Sequence, residues 1–220
     1  MKSTISVVNN KGKLQGEIYE AAKASFEVEG ESFYEGKMLV ERLSATNDIL
    51  PFTISEKLMR AYNLSLESGQ KICFGGELRS YNKMIDGKSR LILSFFVKEI
   101  LSNENFDGVS NELSLTGFIC KTPVFRTTPF NRQICDILLA VNRPNFNKSD
   151  YIPCILWGRN AKFIQNQKVG TKLELTGRIQ SRVYRKELET GVTEERTAYE
   201  VSCQKINLLQ SGNIETQSLA

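Results

Sequence analysis

Between Lys172 and Tyr184 polar and apolar residues alternate with a period of two. Leu173, Leu175, Gly177, Ile179, Ser181 and Val183 form one set; Lys172, Glu174, Thr176, Arg178, Gln180, Arg182 and Tyr184 form the other. This period marks a half-buried strand. The first set reads as core and the second as an exposed stripe of basic and aromatic side chains. Gly177 inside the run predicts a bulge or sharp bend. Tyr151–Trp157 alternates as well. Ile152, Cys154 and Leu156 share one face, and Tyr151, Pro153, Ile155 and Trp157 share the other. Pro153 cannot donate to a ladder and predicts an edge or irregular position. Beyond it, Asn160–Gln167 is a short helix candidate ending before Gly170.

A similar pattern occurs roughly 101 residues earlier, which makes the chain an internal repeat. Leu14-Gln15-Gly16-Glu17-Ile18 matches Leu115-Thr116-Gly117-Phe118-Ile119. Arg42 falls opposite Arg143, and Gly69 opposite Gly170. Asp48-Ile49-Leu50-Pro51-Phe52 matches Asp150-Tyr151-Ile152-Pro153-Cys154. Gly76-Glu77-Leu78-Arg79-Ser80 matches Gly177-Arg178-Ile179-Gln180-Ser181. Val97–Ile100 then matches Cys203–Ile206, after a longer insertion in the second copy. In the first copy Ser55 is a candidate N-cap for a helix over Glu56–Tyr62. Asp86-Gly87 signals a hairpin, and Lys186–Arg196 is the corresponding polar loop. Each copy therefore reads as three strands, a short helix, then two strands. The expected fold is all-β: two tandem five-stranded OB-fold barrels, each with one short helix. The expected boundaries are a divergent first domain over 1–104, a linker over 105–111, a second domain over 112–209, and a disordered polar tail over 210–220.

Composition narrows the chemistry. A hydrophobic share of 40% and a charged share of 25% are ordinary for a globular protein. No apolar run approaches the roughly 20 residues of a membrane span, and Met1–Gln15 lacks an apolar stretch of signal-peptide length. A cytoplasmic protein is expected. The cysteines are odd in number and none forms a CxxC pair, so buried free thiols are expected. Histidine is absent, which removes the commonest general base, the Ser–His and Cys–His pairs and most zinc sites. Asp48, Asp136 and Asp150 form no obvious carboxylate cluster for a metal pair. No catalytic residue, metal or cofactor is expected. Charge is uneven between the copies. Residues 1–108 carry 14 Lys and Arg against 15 Asp and Glu, whereas residues 109–220 carry 15 against 10. The second half is the one suited to an anionic partner.

The second copy closely resembles the bacterial single-stranded DNA-binding protein family. The resemblance rests on Leu115-Thr116-Gly117, Arg126-Thr127-Thr128-Pro129, Leu138–Arg143, Cys154-Ile155-Leu156-Trp157-Gly158-Arg159 and Gly177–Arg182, and covers about residues 111–209. It implies an OB fold that binds single strands without strict sequence preference, in replication, recombination and repair, in the bacterial cytoplasm at the nucleoid. It also implies four OB domains per assembly, hence a homodimer here. The family's base-stacking positions correspond to Tyr151, Trp157, Tyr184 and, approximately, Phe146. Members of the family usually end in an acidic, hydrophobic tip that recruits replication and repair enzymes. Gln210–Ala220 has only Glu215 charged, which puts that recruitment in doubt.

Binding a single strand needs flat rings for the bases and cations for the phosphates. Tyr151 and Trp157 share strand parity and so a face. Arg143, Arg159, Arg178 and Arg182 are the candidate phosphate contacts, with Arg126 from the early loop. In the first copy Ile49 stands opposite Tyr151, and Ser55 opposite Trp157. Both rings are missing there, although Arg79, Tyr81 and Lys83 form an exposed set and Arg42 is retained. The first domain is expected to bind weakly or to serve assembly. Two other binding readings are a primosome-type OB adaptor acting through protein contacts and a single-stranded RNA-binding protein.

Overall fold

The computed structural model describes residues 9–42, 44, 46–85, 87–101, 110–144, 147–187, 191 and 193–209. The first copy folds as β1 (Asn10–Val28), β2 (Glu31–Glu41), β3 (Asn47–Ser55), α1 (Glu56–Ala61), β4 (Lys71–Ile85) and β5 (Lys88–Leu101). The second folds as β6 (Asn111–Ile119), β7 (Val124–Thr127), β8 (Gln133–Asn142), β9 (Ser149–Trp157), α2 (Gly158–Ile164), β10 (Lys172–Glu187) and β11 (Thr193–Leu208).

Each copy closes on itself. In the first, β1 pairs with β2 and β4, β2 with β3, β4 with β5, and β3 runs parallel to β5. In the second, β6 pairs with β8 and β10, β8 with β9, β10 with β11, and β9 runs parallel to β11. Closure removes the free edges that would otherwise recruit other chains. Leu14, Met38, Leu50, Phe52, Phe74 and Phe95 fill the first barrel, and Leu115, Leu139, Ile152, Leu156 and Leu175 the second. Ser55 caps α1 as its position suggests, accepting a bond from the Leu58 amide at 3.2 Å.

The repeated glycines have a steric reason. The ladder shifts register at Gly75/Gly76 in one barrel and at Thr176/Gly177 in the other. A Cβ on Gly76 would lie 2.2 Å from the Phe96 carbonyl oxygen, and one on Gly177 would lie 2.3 Å from that of Ser202. Only glycine allows β4 and β10 to bend this tightly over their neighbours.

The barrels share a seam with approximate two-fold symmetry. β1 and β6 pair antiparallel from Asn10↔Leu115 to Leu14↔Asn111, which makes the sheet continuous. Where β1 departs from β4, the Asn10 side chain stands in for backbone. Its amide donates to the Leu78 carbonyl at 2.8 Å, and its oxygen accepts from the Leu78 amide at 3.0 Å. Asn111 repeats this on Ile179 at 2.7 and 2.9 Å.

The structure departs from the sequence pattern at several points. β7 adds a strand outside the second barrel's closed set of five, paired with β8. α2 spans Gly158–Ile164 rather than Asn160–Gln167, because Gly158 adopts a positive φ of 54° and starts the helix directly after Trp157. Alternation places Val183 in the core, yet it is 58% exposed, since the β10–β11 hairpin has left the barrel by then. Gln180, assigned outward, is buried and bonded to Glu200 at 2.7 Å. Ile155, assigned to the Tyr151 face, is buried where β9 meets β11 at Ser202. β6 begins at Asn111, inside the span read as a linker. Residues 102–109, the tail 210–220, Asp86 and part of the Lys186–Arg196 loop lie outside the described residues.

Candidate nucleic-acid interface

β9 positions the two rings read from parity. Tyr151 lies at its start and is 47% exposed; Trp157 is its last residue and is 36% exposed. Six residue steps of strand separate them by about 20 Å. The Trp157 indole donates to the Ser202 hydroxyl at 3.3 Å, which fixes the ring against β11 while leaving a face open. The Tyr151 amide is held by the Ser80 hydroxyl of the other barrel at 2.7 Å. Arg159, two residues beyond Trp157, is exposed.

Tyr184 sits on the β10–β11 hairpin, with the Arg182 guanidinium 5.5 Å from its ring centre. It lines a groove of about 760 Å³ between the barrels, together with Pro153 and Tyr199 from the second and Lys37, Lys88 and Arg90 from the first. Burial raises the Tyr199 hydroxyl above its ordinary pKa against the opposing charge of Lys37, so it stays a neutral donor with a flat face. Lys37 is itself anchored to Glu20 at 2.8 Å. Sequence patterning missed Tyr199 and Lys37 because neither belongs to a family-like segment, and only the fold brings the two hairpins together.

The arginines divide sharply. Asp48 and Asp150 are fully buried. Asp48 accepts from its own barrel's Arg42 at 2.5 and 2.7 Å, and from the other barrel's Arg178 at 3.3 Å and the Ser181 amide at 2.6 Å. Asp150 mirrors this with Arg143 at 2.6 and 3.0 Å, Arg79 at 3.0 Å and the Ser80 amide at 2.7 Å. Arg42 and Arg143 then each donate to a carbonyl across the seam, Ser181 and Ser80, at 3.0 Å. Burial would raise the Asp48 carboxyl, but Arg42 and the two Ser181 donors outweigh it and hold it below the usual range. Arg42, Arg79, Arg143 and Arg178 thus have guanidinium donors committed to the interdomain seam. Arg126 pairs with Asp136 at 2.7 Å near the surface, and Arg182 remains exposed beside Tyr184.

In the first barrel's outward set, Arg79 faces the seam while Tyr81 is bonded within its own barrel. The Tyr81 hydroxyl donates to Glu35 at 3.0 Å, and burial with the Glu35 charge pushes its pKa up to about 12. Glu35, Tyr81 and Lys83 line one shallow depression on this barrel. Phe146 lies outside the described residues. All five cysteines are free thiols, four of them buried. Among the described residues no group of His, Cys, Asp or Glu is arranged to hold a metal ion. No helix of the described chain is long and apolar enough to cross a membrane.

Residues 110–209 match the Single-strand binding protein family. A relative named single-stranded DNA-binding protein 3, from Streptococcus agalactiae, is 33% identical over 114 residues, covering 49% of this chain and 80% of its own length. The chain belongs to the Single-strand binding protein family. A second member, the single-stranded DNA-binding protein of Enterococcus faecalis, is 32% identical over 113 residues, and the chain spans 58% of its length. The fold of the whole chain is shared with a wild-type single-stranded DNA binding protein from Thermus aquaticus. That likeness has a TM-score of 0.70 at 16% identity, over 92% of this chain and 94% of the other. Family sequence likeness therefore lies in the second barrel, whereas likeness of fold extends over both.

Proposed function

We propose that the protein binds single-stranded DNA without strict sequence preference, chiefly through the second barrel, and that it is a binding protein rather than an enzyme. The observation that carries this is β9, a strand otherwise facing the core that presents Tyr151 and Trp157 at its two ends. Each ring can stack on any base, contributing about 1–3 kcal/mol. Tyr184 with Arg182 continues the surface into the basic groove, and Arg159 and Arg182 serve the phosphates. Arg126 joins them when its pairing with Asp136 loosens. Arg42, Arg79, Arg143 and Arg178 contribute by holding the two barrels in fixed register. The cellular role is protection of exposed strands in replication, recombination and repair. Two barrels per chain suit a homodimer with four.

The test is Trp157 fluorescence during titration with oligo-dT at several salt concentrations, with oligo-rU as competitor. The expected result is quenching, an affinity that falls as salt rises, and weaker competition by RNA. Absence of binding at low salt contradicts the proposal and leaves a protein-contact adaptor.

A further inference from the structure

The two hairpins that flank the interdomain groove carry an arginine at the same register position and differ two residues before it. In β4–β5, Lys83 pairs with Arg90; in β10–β11, Tyr184 pairs with Arg196. The repeat sets Ser80 opposite Ser181, hence Lys83 opposite Tyr184 and Arg90 opposite Arg196. Two residues before each arginine the first copy has Lys88, and the second has Glu194. All four residues line the groove, with Lys37 and Lys186 as its other cations and Glu195 as its other acid.

Glu194 is placed as an anion among those cations. The Arg196 Nε and Nη2 both donate to its Oε2, Nε at 2.8 Å. The Arg196 side chain is only 16% exposed, whereas that of Glu194 is 40% exposed. The carboxyl is held below its ordinary pKa by Arg196 first, and after it by the charges of Arg90 and Lys186. Cations drawn from two hairpins repel one another unless an anion lies among them. In the free protein Glu194 is that anion. A backbone phosphate carries the same charge and offers the same kind of oxygen to a guanidinium. An ion pair this near the surface is weak, so a phosphate can displace it.

We propose that Glu194 is an internal counter-ion of the groove, which holds Arg196 in the free protein and yields it to a phosphate of the bound single strand. This rests on the binding role proposed above, and it adds Arg196 to the residues that touch the strand. Entry of the strand then exchanges one anion for another at Arg196, so this arginine releases less bound salt than an unpaired cation would. Glu194 thereby restrains an affinity that the groove's cations would otherwise set higher. Lys88, at the same place on the opposite hairpin, adds to the attraction instead.

The test compares wild-type protein with E194Q and E195Q, which remove the same charge from the same groove. Folds are checked by circular dichroism, and affinity for long oligo-dT is measured across a salt series. E194Q is expected to bind about threefold more tightly at low salt and to steepen the slope of log affinity against log salt by about 0.7. E195Q is expected to gain less than half as much. In nitrogen-15 spectra of wild-type protein, the Arg196 Nε–H signal, assigned by its absence in R196K, is expected to shift as oligo-dT is added. Equal gains in E194Q and E195Q, or an Arg196 signal unmoved at saturation, overturn the counter-ion role alone. Failure of wild-type protein to bind oligo-dT overturns it together with the binding role.

Discussion

The two barrels share one backbone plan and differ in what they expose. Both close through five strands, bend β4 or β10 at a glycine that a Cβ would obstruct, and send an aspartate into the seam. On the second barrel β9 ends in open rings beside a net positive surface. On the first the same strand carries Ile49 and Ser55, Tyr81 is tied to Glu35, and charge is slightly negative. A duplicated fold keeps what closes it and what joins it to its copy, while solvent-facing positions are free to diverge. Repetition of a residue therefore signals a structural duty here, and contrast between the copies signals the binding face.

The strongest test of that division is to break the seam. Asp48→Ala or Asp150→Ala removes a buried carboxylate that two guanidinium groups share. Each is expected to lose about 3 kcal/mol or more of stability in thermal or denaturant unfolding. Both should be destabilised, Asp150→Ala the less, because Arg79 keeps its ion pair with Glu77 whereas Arg178 pairs with Asp48 alone among the described acids; a cost confined to one of them breaks the comparison. Next in size is the loss of the rings. A Tyr151→Ala/Trp157→Ala protein is expected to lose about 1–3 kcal/mol of oligo-dT affinity per ring, measured by anisotropy. Ile49→Ala/Ser55→Ala at the matching positions should leave affinity within about threefold of wild type.

Acid offers a graded perturbation of the same seam. The native Asp48 carboxyl is held below its ordinary pKa. Its contribution to stability is therefore complete above the unfolded value of about 4 and is lost as pH falls through the lower native value. Unfolding followed from pH 6 downward should show this loss, and an Asp48→Asn protein should show less of it. The smallest expected effect is that of Arg159→Ala, which should lower the slope of log affinity against log salt by about one. Arg178→Ala should instead lower stability, because its charge faces Asp48.

Much of the fold was legible before the structure. Period-two runs, an N-cap serine and paired glycines mark strands, helix and bends directly, because each reflects a local steric or hydrogen-bonding need. Register across the repeat was legible too, which is why Ile49 and Ser55 could be set against Tyr151 and Trp157. The roles of the arginines were not. Alternation places Arg178 outward from its own barrel, and outward there means toward Asp48 of the other copy. Val183 and Ile155 were misplaced for a related reason. A strand that leaves its barrel, or lies under a parallel neighbour, no longer has one wet and one dry face. Tyr199 and Lys37 lie more than 150 residues apart in the chain and meet only in the groove.

The most direct test of the central claim is photo-cross-linking of oligo-dT to the full chain, with the linked residues mapped by mass spectrometry. The main cross-links are expected on Tyr151, Trp157 and Tyr184. Cross-links that spare β9 and β10 altogether contradict the assignment of the binding face to the second barrel.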